Sequence, residues 1–254
     1  MTYRHYNRPQ MEHLDTTAER TALWRGLHLE EGTPPFVFAD DWALQLVQPP
    51  IGWQQRPDMQ FTKPIRTSMV GRARFVEDQV YKWLHKGIEQ YVILGAGLYS
   101  FALRNTYPTE IIQVFEVDQP GTIHWKESRI CELLGKCPAH LHLIPAFFEV
   151  ASWKQALQQS SFQFTRPAVL TCTGVTLYLS QEACLQLLKD ICTLKTGSIA
   201  IVSFYEPVSS LSGEDRLLLE LSVKGAAASG TPMISFFTKQ QVLDLASKAS
   251  LKNC

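Results

Sequence analysis

Net charge is the first thing this chain lacks: 24 lysines and arginines face 24 aspartates and glutamates. Without a basic excess there is no electrostatic footprint for a nucleic-acid backbone or an anionic membrane surface, and neither partner is expected. No apolar run approaches the roughly 20 residues that a membrane-spanning helix needs. The N-terminal residues Met1 to Pro9 are polar and hold no secretory hydrophobic stretch. The six cysteines, Cys131, Cys137, Cys172, Cys184, Cys192 and Cys254, never fall in C-x-x-C spacing. That argues against a zinc site, or any metal site, and against a disulfide framework; a reduced, cytoplasmic setting is expected. Repeats and low-complexity tracts are missing too.

What is present centres on Tyr91-Val-Ile-Leu-Gly-Ala-Gly-Leu-Tyr-Ser-Phe-Ala-Leu-Arg104. A short apolar run, Tyr91 to Leu94, suits a buried strand. Gly95 and Gly97 follow, then a helix-like segment from Tyr99 to Arg104. Strand, glycine turn and helix open nucleotide sites in doubly wound α/β folds, because glycine allows positive φ and close approach of a ligand. The next apolar run, Ile111 to Val117, ends in Asp118, about 20 residues after the glycines, where a carboxylate can accept from ribose hydroxyls. A dinucleotide fingerprint wants a third glycine or alanine. Ser100 stands there, and the turn holds no basic residue, so a weakly charged nucleoside such as S-adenosylmethionine suits it better than a pyrophosphate. A nicotinamide cofactor stays open as the weaker alternative, and an ordinary strand-to-helix turn as the bland one.

Along the chain, helices are expected over Thr16–His28, Asp40–Val47, Thr67–Lys86, Tyr99–Arg104, Pro120–Leu134, Trp153–Gln159, Gln181–Leu194, Gly213–Lys224 and Thr238–Ala249, with Thr238 as an N-cap. On the first helix Ala18, Leu23, Trp24 and Leu27 share a face, with Arg20 and Arg25 elsewhere. Strands are expected at Tyr91–Leu94, Ile111–Val117, His140–Pro145, Pro167–Thr173 and Gly197–Phe204. Gln48 to Lys63 has no period and reads as a loop or mobile lid, with Trp24, Trp42 and Trp53 able to pack it down. Alternation of strands and helices predicts a doubly wound, mostly parallel sheet with an N-terminal helical cap. The division expected is a cap or lid over residues 1–66 and a Rossmann-like binding domain over 67–254. Ligands sit at the carboxyl ends of such strands. Those ends carry Gly95, Gly97, Asp118, Phe147, Phe148 and Thr173. By spacing alone Arg72 and Arg74 are solvated partners of Glu77 or Asp78, Phe147 and Phe148 are core, and His124, His140 and His142 are structural.

Taken together, Gly71-Arg-Ala-Arg-Phe75, Val92-Ile-Leu-Gly-Ala-Gly-Leu98, Val114-Phe-Glu-Val-Asp-Gln-Pro120, Gly174-Val-Thr-Leu-Tyr-Leu179 and Ser235-Phe-Phe-Thr238 resemble the leucine carboxyl methyltransferase family. The likeness is to its bacterial-type branch of S-adenosylmethionine-dependent O-methyltransferases of polyketide or secondary-metabolite type. The resemblance implies a class I methyltransferase fold and S-adenosylmethionine as cofactor. It gives Arg72 the methionine carboxylate, reversing the reading by spacing. It gives Gly95 and Gly97 the turn under the cofactor, Asp118 the ribose, and Tyr178 the acceptor side of the pocket. Phe147 falls where an acid near the adenine is usual, Phe148 would neighbour the same ring, and Thr173 stands where an acid is common. Tyr99 replaces another frequent acid.

The closing antiparallel hairpin of that fold is not recognisable after the Thr238 helix, and an exposed sheet edge is expected there. The function expected is O-methylation of a carboxylate or hydroxyl on a small molecule or peptide. The alternative is a catalytically impaired cofactor-binding or interaction module on the same fold.

Overall fold

The computed structural model describes residues 16–104, 107–109, 111–148 and 153–251. The polar stretch Met1–Pro9 and Cys254 lie outside the described residues. In order, the helices are α1 (Thr16–Glu31), α2 (Trp42–Val47), α3 (Lys63–Leu84), α4 (Phe101–Arg104), α5 (Pro120–Leu134), α6 (Trp153–Gln158), α7 (Gln181–Cys192), α8 (Gly213–Ala228) and α9 (Lys239–Lys248). The strands are β1 (Gln90–Leu94), β2 (Gln113–Asp118), β3 (Leu141–Pro145), β4 (Val169–Cys172) and β5 (Ile199–Val202). All strand pairs are parallel, in the order β3-β2-β1-β4-β5. This is the doubly wound α/β sheet that the sequence predicts. The order reverses direction between β1 and β4, which opens a crevice above their carboxyl ends.

β1 is buried throughout, as a central parallel strand must be. Its side chains divide by the period of two. Tyr91 and Ile93 pack with α1 to α4, whereas Val92 and Leu94 pack with α6 and α7. Two apolar layers therefore sandwich the sheet. Fully buried side chains such as Phe101 and Leu94 contribute about 1.5–3 kcal/mol each. Phe101 meets the Tyr91 ring edge-on at 4.8 Å.

Several ends follow from local chemistry. α5 opens with Pro120 in its first turn and closes on Gly135 in the left-handed region, φ 78°. α9 carries a full capping box between Thr238 and Gln241. α3 starts four residues earlier than its apolar period suggests, with Pro64 in its first turn, and runs unbroken across residues 66 and 67. The stretch from Gln48 is strapped to α1 rather than loose. The Trp24 indole donates to the Asp58 carbonyl at 2.8 Å, Arg56 pairs with Asp58 and Glu19, and Trp53 is buried. Among the described residues β5 is the last strand on its side of the sheet.

Candidate functional site

Helical spacing turns Met69, Arg72, Ala73 and Val76 of α3 toward one space, and Thr17, Ala18, Thr21 and Arg25 of α1 toward the same one. Together with the carboxyl ends of β1, β2 and β4 they enclose a cavity of about 410 Å³. Its far wall is Gly230, Thr231, Pro232 and Ile234, from the chain after α8. Thr17 of α1 and Thr231 meet hydroxyl to hydroxyl at 3.3 Å.

The sequence-expected residues converge here with one exception. Arg72, Gly95, Gly97, Asp118, Phe148, Thr173 and Tyr178 all line the cavity. Phe147 does not: it lies outside the wall with 47% of its surface exposed, and Phe148 faces the cavity instead. The reason is local. The chain leaves β3 at Pro145, Ala146 turns inward, and neighbouring side chains point apart, so only one phenylalanine can face the site.

The glycine turn is built around Asp118. The Gly97 N–H donates to Oδ2 and the Gln119 N–H to Oδ1, each at 2.7 Å. Gly95 and Gly97 have φ of 70° and 52°. A Cβ at Gly95 would come within 2.1 Å of the Val175 methyl, so both conformation and space demand glycine there. Each carboxylate oxygen has two acceptor positions, so Asp118 can brace the turn and still accept from a ligand hydroxyl.

Beneath the turn lies a polar network that the sequence did not reveal. Asp40 is fully buried; Arg25 binds it at 2.7 Å, and Ser100 and Arg104 bind its other oxygen. Burial opposes its charge, but Arg25, Arg104 and the Ser100 hydroxyl outweigh that and hold the carboxyl below its ordinary value. Arg25 also donates to the Leu98 carbonyl at 2.8 Å. It is therefore a buried strut, away from the apolar face that periodicity gives α1. Arg104 pairs with Glu77, which also accepts from the Tyr99 hydroxyl. Burial first, then the Glu77 charge, push that hydroxyl well up, so it stays a donor. The Phe38 ring stacks on Tyr99, centroids 6.3 Å apart. Ser100 thus fills the third glycine's place as a buried link between Asp40 and Arg104.

Arg72 differs from the other arginines. Arg74, not Arg72, makes the expected i,i+4 pair with Asp78. Among the described residues Arg72 has no acidic partner, and its one polar contact is the Tyr205 hydroxyl at 3.1 Å. With Arg25 neutralised by Asp40, Arg72 is, among the described residues, the uncompensated cation of the wall.

Asp118 ends β2, while Arg72 reaches the end of β5. They stand across the crevice at two to three strand spacings, roughly 10–14 Å. One cation and one carboxylate so separated, with a phenylalanine beside the carboxylate, fit a nucleoside bearing an amino acid. They do not fit a pyrophosphate, which would draw on more cations or free helix N–H groups. His140 binds the Ala102 carbonyl and His142 the Gln113 amide, so both serve structure.

A family model for leucine carboxyl methyltransferase matches residues 18–192. A Bacillus subtilis protein named "Putative S-adenosyl-L-methionine-dependent methyltransferase YktD" is 31% identical over 183 residues, 72% of this chain and 60% of that protein. A protein from Mycobacterium sp. strain JLS, named "Putative S-adenosyl-L-methionine-dependent methyltransferase", is 35% identical over 153 residues, 60% of this chain and 48% of its own length. The chain thus spans about half to three fifths of these relatives. A crystal structure of a DUF574 family protein from Streptomyces avermitilis shares the fold at a TM-score of 0.59 and 15% identity, covering 92% of this chain and 84% of that one.

Proposed function

The chain belongs to the leucine carboxyl methyltransferase family, and from that premise we propose that it is an S-adenosylmethionine-dependent methyltransferase, methylating an oxygen of a small molecule or peptide. The observation that carries this reading is the Arg72 guanidinium, uncompensated in the cavity wall and across the crevice from Asp118. The names that the relatives carry support the same cofactor.

When bound, S-adenosylmethionine supplies a methyl group that its sulfonium already activates. The chain's part is to hold, align and exclude water. Asp118 would accept from the ribose hydroxyls, Gly95 and Gly97 would let the backbone approach, Phe148 would cover the base, and Arg72 would take the carboxylate. Thr173 offers a neutral hydroxyl on the same wall.

Tyr178 is proposed to orient the acceptor oxygen. Among the described residues the lining holds no histidine or lysine, and the carboxylate it does hold, Asp118, is engaged by two backbone N–H groups. A described lining without a histidine or lysine favours an acceptor that arrives ionised, so a carboxylate is proposed ahead of a hydroxyl.

Calorimetric titration with S-adenosylmethionine, S-adenosylhomocysteine and NAD tests this. Micromolar binding of the first two alone is expected, followed by methyl ester formation with a carboxylate panel. Binding of NAD, or of none, would overturn the reading. Cofactor binding without turnover on carboxylates or hydroxyls would make the chain a binding module.

A further inference from the structure

Arg72 is steered from a strand end that no motif marks. Its Nη1 donates to the Tyr205 hydroxyl at 3.1 Å, and no other polar partner reaches it among the described residues. Tyr205 follows β5 at the carboxyl end of the sheet, just behind the cavity wall.

Its backbone is tied from two sides. The Ser203 hydroxyl accepts from the Gly174 N–H at 3.0 Å, and the Ser203 carbonyl accepts from the Thr176 hydroxyl at 2.7 Å. The Tyr205 carbonyl accepts from the Phe237 N–H at 2.8 Å, and Phe204 meets the buried Phe237 ring edge-on at 5.4 Å. The phenol therefore stands on a fixed base, while arginine is a long side chain with much rotamer freedom to lose. The other guanidinium edge lies over the Gly174 turn, where Nη2 would be 3.8 Å from an added Cβ. A Cβ there would sit in ordinary van der Waals contact, so it is the φ of 73°, and not space, that favours glycine in this turn.

We propose that Tyr205 is a positioning residue for the amino-acid end of the cofactor. By accepting from Nη1 it holds the Arg72 guanidinium over the Gly174 turn, aimed into the cavity before the ligand arrives. The hydroxyl is both donor and acceptor, so this bond leaves its own proton for the charge that Arg72 binds. The inference rests on the cofactor reading above and deepens it: Tyr205 sets affinity for the carboxylate half of the ligand and is indifferent to the nucleoside half.

The test is titration of wild type, Tyr205→Phe, Arg72→Ala and the double variant with two probes. S-adenosylhomocysteine carries the carboxylate, and methylthioadenosine lacks the amino acid altogether. Tyr205→Phe is expected to weaken S-adenosylhomocysteine about tenfold, the scale of one hydrogen bond to a charged group. Methylthioadenosine binding should be unchanged, which also certifies the fold. In the Arg72→Ala background Tyr205→Phe should have no further effect. Equal losses for both probes, unchanged S-adenosylhomocysteine affinity, or additive losses in the double variant would overturn the positioning role. If wild type binds neither probe, the cofactor reading itself falls and takes this inference with it.

Discussion

Replacing Lys126 with methionine should destabilise the protein in proportion to pH. Lys126 of α5 pairs with Glu116 of β2, and neither side chain has any exposure. Lys126 also donates to the Tyr99 carbonyl, tying α5 to the glycine turn, and Glu116 Oε1 has no hydrogen-bond partner among the described residues. Burial pushes the Glu116 carboxyl up, and the Lys126 charge and hydrogen bond offset that only in part, so it stays above its ordinary value even with the lysine in place.

Methionine keeps the length of the stem and removes the charge. Glu116 must then stay dry and charged, or take up a proton on folding. Proton uptake costs about 1.36 kcal/mol per pH unit above an ordinary carboxylate value near 4.3, so up to about 3.7 kcal/mol at pH 7. Removing one partner of a buried pair typically costs about 3–5 kcal/mol, the same scale.

The sign follows from linkage. In the variant the folded-state pKa lies above the unfolded one, so stability is fully present below the unfolded value and is lost as pH rises toward the folded value. Urea denaturation from pH 4.5 to 7.5 should show a deficit against wild type that widens with pH. In Lys126→Met/Glu116→Gln the charge is gone and the pH-dependent part should vanish. A deficit below about 1 kcal/mol at pH 7, the scale of an exposed pair, or one independent of pH, would refute the reasoning.

Three further outcomes are expected. Asp118→Ala should weaken S-adenosylhomocysteine at least tenfold and cost about 1–3 kcal/mol in denaturation, because the Gly97 N–H loses its acceptor; unchanged affinity in the folded variant would remove Asp118 from the ligand. Gly95→Ala should lower the melting midpoint and abolish binding, since the new methyl meets Val175 at 2.1 Å at a φ of 70°; normal binding would show that the turn can shift. Asp40 contributes stability that is present above the ordinary carboxylate value and lost as pH falls through its depressed folded value. The melting midpoint of Asp40→Asn should accordingly fall less steeply below about pH 4 than that of wild type, and parallel curves would place the acid sensitivity elsewhere.

What the sequence by itself determined is local. The strand–glycine turn–helix at Leu94 to Arg104, the acid at the end of β2, the Pro120 start of α5 and the Thr238 cap all depend on residues near one another, and each stands where its pattern put it. The identity of the unpaired arginine was also within reach. Arg74 has Asp78 four residues on, whereas Arg72 has only Val76 there, so the acidic partner expected from spacing was available to Arg74 and not to Arg72.

Tertiary structure decided the rest, because it concerns charges far apart in sequence. No period says that Arg25 meets Asp40, that Glu77 meets both Arg104 and Tyr99, or that Lys126 is buried against Glu116. Each is a charge that pattern reading sends to solvent, and each survives burial only because the fold brings it a partner. The choice of Phe148 over Phe147 depended on how the chain leaves β3. The span from Asp118 to Arg72 and Tyr205 depended on strand order, which separates the ends of β2 and β5 by β1 and β4.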